Sequence, residues 1–103
     1  MSETLIRVIE TPNPDAYMFR VQEALVPSGT HEFGKEDNTE HSPLAKELLH
    51  FEEVELVLIA PRFVTVRKSP NHGWTPLASQ ISEALLKFLQ SGEMAVLEKK
   101  ESV

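Results

Sequence analysis

Proline placement constrains this chain more than any other feature, because each proline fixes its own φ, lacks an amide donor and pushes the preceding residue toward extended backbone. Thr11-Pro12-Asn13-Pro14-Asp15 carries two prolines within three positions, so no ladder continues through it. Ser42-Pro43 and Thr75-Pro76 each set a hydroxyl residue before proline, the signal of an N-cap with proline at the first helical position, where the missing N–H costs nothing. Ala60-Pro61-Arg62 and Ser69-Pro70-Asn71-His72-Gly73 mark further turns.

The segments between these breaks are short and patterned. Leu5-Ile6-Arg7-Val8-Ile9 is rich in branched residues and reads as a strand. From Ala16 to Ala24, Tyr17, Phe19 and Val21 alternate with Met18, Arg20 and Gln22, which predicts a second strand and a hairpin around the proline turn. Val54–Ile59 and Phe63–Lys68 predict another hairpin. Leu44, Leu48 and Phe51, with Ala45 and Leu49 beside them, give a helical apolar stripe after Ser42. Leu77, Ile81, Ala84, Leu85 and Phe88 give another, running to about Gln90, with Gly92 placed for a left-handed C-terminal cap. The polar stretch 28–41 shows no periodicity and reads as a loop, pinned to the core at Phe33.

The expected order is ββαββα, an α+β two-layer sandwich whose mainly antiparallel sheet is covered by two helices. Its open face is expected to carry Arg20, Gln22, Thr65 and Arg67. Residues 1–92 form the expected domain and 93–103 a flexible tail, with Met94 to Leu97 available for local docking. A chain of 103 residues with 41% hydrophobic content and five Phe has material for one core.

Composition narrows function by exclusion. Without cysteine, this chain offers no disulfide, thiolate metal site, thiol nucleophile or cysteine-ligated iron–sulfur cluster. The N-terminal residues lack the basic and apolar regions of a secretory signal, and no apolar run reaches the roughly 20 residues of a membrane-spanning helix. The expectation is a cytoplasmic protein. Residues 31–55 hold eight acids against two bases and so account for the whole formal charge of −6. The remainder is balanced, leaving no basic surplus for nucleic acid. The acidic segment reads first as a solvated face.

Three groups are candidate sites. Pro12, Asn13 and Pro14 form a rigid connector that also suits a preorganised recognition edge. Trp74 reads as a core seal at the last helix or as an interface anchor. Arg62, Arg67 and Lys68 give the second hairpin a basic character opposite in sign to the acidic segment, which suits electrostatic steering of a partner or self-association. An alternative is a metal site for iron or zinc in the loop 31–41, from His31, Glu32, Glu40 and His41 with Asp37 nearby, although their spacing matches no ligand motif. No serine elbow, phosphate cradle or acid–base constellation supports an enzyme.

Thr11-Pro12-Asn13-Pro14, Ser42-Pro43-Leu44-Ala45 with Leu48, Phe63-Val64-Thr65-Val66, and Trp74 before the last helix resemble, in this order, the N-terminal domain of the Nfu family of iron–sulfur cluster scaffold proteins. The resemblance spans roughly residues 5–92. In that family the cluster sits on a Cys-x-x-Cys motif in a separate C-terminal domain, and the N-terminal domain helps recognise partners. The resemblance therefore implies a stand-alone, non-catalytic interaction module without cofactor, whose partner is a cysteine-bearing assembly or target protein. Two departures stand out: Glu53 occupies a helix exit where the family commonly has glycine, and His72-Gly73 lacks an acidic residue often present before the tryptophan.

Overall fold

The computed structural model describes residues 6–92 and 95–96. Both expected hairpins form: β1 (Arg7–Glu10) pairs with β2 (Ala16–Arg20), and β4 (Val54–Ile59) with β5 (Phe63–Lys68). Pairing of β2 with β5 joins them into one sheet. Leu5 of the expected first strand lies outside the described residues. β2 ends at Arg20, short of Ala24, because the Val21 amide donates to the Arg62 carbonyl at 3.0 Å and the Leu25 amide to the Pro61 carbonyl at 2.7 Å. The chain leaves the ladder there yet stays fastened to the β4–β5 turn.

The segment read as a loop contains a strand, β3 (His31–Gly34), which pairs antiparallel with the outer side of β4. The sheet order is β1-β2-β5-β4-β3, with every neighbouring pair antiparallel. Only Phe33 supplies a large apolar side chain in β3, so the strand exists because β4 offers a ladder and the core accepts Phe33. Lys35 then donates to the Leu49 and Phe51 carbonyls at 3.1 and 3.0 Å, where a cation complements helix-end carbonyls.

Register sorts the sheet into two faces. The ranks Val8–Phe19–Val64–Ile59–His31 and Glu10–Tyr17–Val66–Val57–Phe33 face the helices, and Phe19, Val57, Ile59, Val64 and Val66 are fully buried. Helix α1 (Pro43–Leu49) covers them with Leu44, Ala45 and Leu48, and α2 (Leu77–Ser91) with Leu77, Ile81, Leu85 and Phe88. Full burial of such a side chain contributes about 1.5–3 kcal/mol, so these residues dominate the stability.

Ser42 is the N-cap of α1 and Pro43 its first residue, as expected. The Ser42 Oγ accepts from the Ala45 amide at 3.1 Å and donates to the Ala95 carbonyl at 2.8 Å. Ala95 is buried, so the chain beyond α2 docks at the start of α1; the rest of the expected tail lies outside the described residues, apart from half-buried Val96. At α2 the cap reading is corrected. Thr75–Pro76 is a cis peptide, Pro76 itself stands at the cap position, and no side chain caps the helix. The first turn is held by backbone bonds from Ala78 to Trp74 and from Gln80 to Pro76. Gly92 closes α2 at φ 80°, where glycine avoids the Cβ penalty of left-handed backbone.

The exit from α1 explains how Glu53 stands where glycine is usual. His50 leaves the helix at φ −66°, and bonds from Phe51 to the Leu48 carbonyl and from Val54 to the Phe51 carbonyl complete the turn. Among the described residues only glycines have positive φ, so Glu53 meets no strain.

Candidate interaction surface

Thr11 organises the proline turn: its hydroxyl donates to the Ala16 carbonyl at 2.7 Å and accepts from the Asn13 amide at 3.2 Å. Asn13 adds an Asx turn, its Oδ1 accepting from the Asp15 amide at 2.9 Å. With local polar groups engaged and two fixed φ angles, the exposed Pro12-Asn13-Pro14 tip is held in one shape.

Trp74 ties this turn to the start of α2. Its Nε1 donates to the Pro14 carbonyl at 2.9 Å, and its ring stacks on Tyr17 with centroids 4.1 Å apart and planes 10° from parallel. Half-buried, Trp74 packs on the core and braces the Pro12–Pro14 tip.

Lys68 completes this end of the sheet. Its side chain is only 5% exposed, and its Nζ donates to Asp15 Oδ1 at 2.8 Å and to the Ser69 carbonyl at 3.3 Å, 5.6 Å from the Trp74 ring centroid. A β4 irregularity between Val54 and Leu56 puts Lys68 opposite buried Val54, on the helix side. Lys68 is therefore a structural cation, unavailable to a partner, and the expected basic grouping is corrected on this point. Arg67 points to the open face and lies 4.0 Å from Glu55, an exposed pair worth little. Arg62, at the opposite end of β5, is brought instead beside Arg7 and Arg20.

The open face has three ranks: Arg7–Arg20–Phe63, Ile9–Met18–Thr65–Leu58–Glu32, and Ala16–Arg67–Leu56–Gly34. Arg20, Thr65 and Arg67 stand there as expected, whereas Gln22 lies past the end of β2. No described helix covers this face. Its centre is apolar, with half-buried Ile9, Met18, Leu56, Leu58 and Phe63. The sequence placed Arg20 on the open face but named neither it nor Arg7 as a candidate interaction residue, although their positions in the first hairpin, as paired strands, were the available signal.

The alternative metal ligands are distributed differently from a site. His31 faces the helix side and Glu32, its neighbour, the open face, while Glu40 and His41 sit in the turn before α1. Among the described residues, no group of three or more His, Asp or Glu side chains is placed to hold a metal ion.

The architecture defines a small α+β module with a five-stranded antiparallel sheet, one helix-covered face and one face that no described helix covers. The family model for the N-terminal region of the scaffold protein Nfu/NifU matches residues 6–92, and the chain belongs to that family. NifU-like protein 4, mitochondrial, of Arabidopsis thaliana is 32% identical over 93 residues, covering 90% of this chain and 33% of the relative. The human NFU1 iron-sulfur cluster scaffold homolog, mitochondrial, is 31% identical, covering 94% of this chain and 39% of the relative. The chain thus spans about a third of the length of these curated relatives. The solution structure of a NifU-like protein from Saccharomyces cerevisiae superposes with a TM-score of 0.82 at 25% identity, covering 93% of this chain and 87% of that one. A Staphylococcus aureus protein shares the fold with a TM-score of 0.67 at 18% identity, over 78% of this chain and 96% of that one.

Proposed function

We propose that this chain is a non-catalytic interaction module accessory to iron–sulfur cluster assembly or delivery, with the cluster carried on cysteines outside it. The observation that carries this reading is the absence of cysteine from a domain whose relatives bear iron–sulfur scaffold names. A domain without thiolates contributes through shape and charge, and this one offers a braced proline tip and an open, part-apolar sheet face. The partner would be a cysteine-bearing assembly or target protein.

Affinity purification of the tagged chain from its native cell under anaerobic conditions tests the partner claim. Enrichment of cysteine-bearing assembly or target proteins is expected, and failure to enrich any of them would refute it. Separately, the purified chain is supplied with ferrous iron and sulfide and passed over a desalting column. A visible charge-transfer band that stays with the protein would overturn the claim that the cluster is carried elsewhere.

A further inference from the structure

Arg7 and Arg20 are direct cross-strand partners on the open face, an arrangement in which like charges destabilise the ladder. The Val21–Arg62 backbone bond brings a third arginine to the same corner. Arg7, Arg20, Val21, Gln22 and Arg62 line one cleft of about 370 Å³. Arg67 and Lys68 each have a carboxylate partner, whereas Arg7, Arg20 and Arg62 have none among the described residues. Three exposed arginines lining one cleft in a chain of net charge −6 form an acceptor for anions, and the planar fork of arginine fits carboxylates bidentately.

The neighbourhood decides which anion. Phe63 stands in the same rank as Arg7 and Arg20, and Ile9 and Met18 stand in the next, two residues or about 7 Å along the strands. That is the spacing of positions i and i+2 in an extended chain. A phosphate backbone offers nothing to these apolar side chains, and the acidic remainder repels a long polyanion. Resting on the interaction-module reading, we propose that the Arg7–Arg20–Arg62 corner docks an extended segment of a protein partner in which acidic and apolar side chains alternate on one face.

The test is a ¹⁵N chemical-shift titration of the full chain with the peptide Glu-Ser-Leu-Ser-Glu-Ser-Leu, with its Gln-for-Glu analogue and with oligothymidylate. Saturable shifts at Arg7, Ile9, Met18, Arg20, Arg62 and Phe63 are expected with the acidic peptide, and at least tenfold weaker binding by the analogue and by the oligonucleotide. The Arg20→Glu/Arg62→Glu double variant should lose at least tenfold in affinity and bind the Lys-for-Glu peptide instead. Arg20→Glu replaces a like-charge pair with an opposite one, so the variant is expected to fold. No saturation at millimolar peptide, shifts centred elsewhere, undiminished binding by the double variant or equal binding of oligothymidylate would each overturn the site. Any of these, found while the wild-type chain still retrieves iron–sulfur assembly proteins, removes the docking corner alone. Loss of that retrieval removes the broader reading.

Discussion

Lys68 has a buried ammonium whose stability depends on its surroundings, and replacing Asp15 by alanine isolates that dependence. In the native chain Nζ has a carboxylate at 2.8 Å, a carbonyl at 3.3 Å and the Trp74 ring at 5.6 Å. Asp15→Ala removes the only opposite charge among these contacts while the cation stays 5% exposed. Breaking a buried pair costs 3–5 kcal/mol and losing a hydrogen bond to a charged group 1.5–3. Because the Asp15 side chain is 30% exposed, the lower range applies, and a loss of about 2 kcal/mol is expected. That corresponds to a fall in Tm of about 10 °C for a domain of this size. Lys68→Met keeps most of the stem and leaves only a carboxylate that water can reach, so it should cost under about 1 kcal/mol. Asp15→Ala in the Lys68→Met background should then be nearly silent, giving a coupling of about 1–2 kcal/mol in urea titrations of the four proteins. Equal losses for the two single variants with no coupling would refute the assignment of Lys68 as a cation that needs Asp15.

Three further outcomes follow from single contacts. Ser42→Ala removes the α1 cap and the buried bond to Ala95 together and should cost about 2 kcal/mol by chemical denaturation; a loss below about 0.5 would mean that water replaces both bonds. Gly92→Ala meets no neighbouring atom, so its cost is the positive φ alone, about 1 kcal/mol, and an unchanged Tm would contradict the left-handed cap. Trp74→Ala removes the stack on Tyr17 and the bond to Pro14, with an expected loss of about 3 kcal/mol and amide shifts at Asn13 and Asp15; shifts confined to α2 would show that Trp74 does not brace the turn.

Much of the architecture is written locally. The hairpins, the Ser42 cap and the Gly92 stop depend on residues within a few positions of one another, and branched residues, hydroxyl-proline pairs and glycine declare those preferences directly. Helix and strand stripes were legible because burial repeats with the geometry of each element. Strand β3 was not, since its pairing comes from β4, a partner more than twenty positions away. The candidate surface divides the same way: the stiffness of Pro12–Pro14 is intrinsic to its residues, while its bracing by Trp74 depends on a contact 60 residues apart in the chain.

Composition by itself excluded thiolate chemistry from this chain, and periodicity assigned its layers. Tertiary structure alone withdrew Lys68 from the surface, separated it from Arg62 and gathered Arg62 with Arg7 and Arg20. The physical reason is that charge and hydrophobicity belong to a residue, whereas exposure and neighbourhood are set by sheet order and register, which bring together side chains from distant parts of the chain.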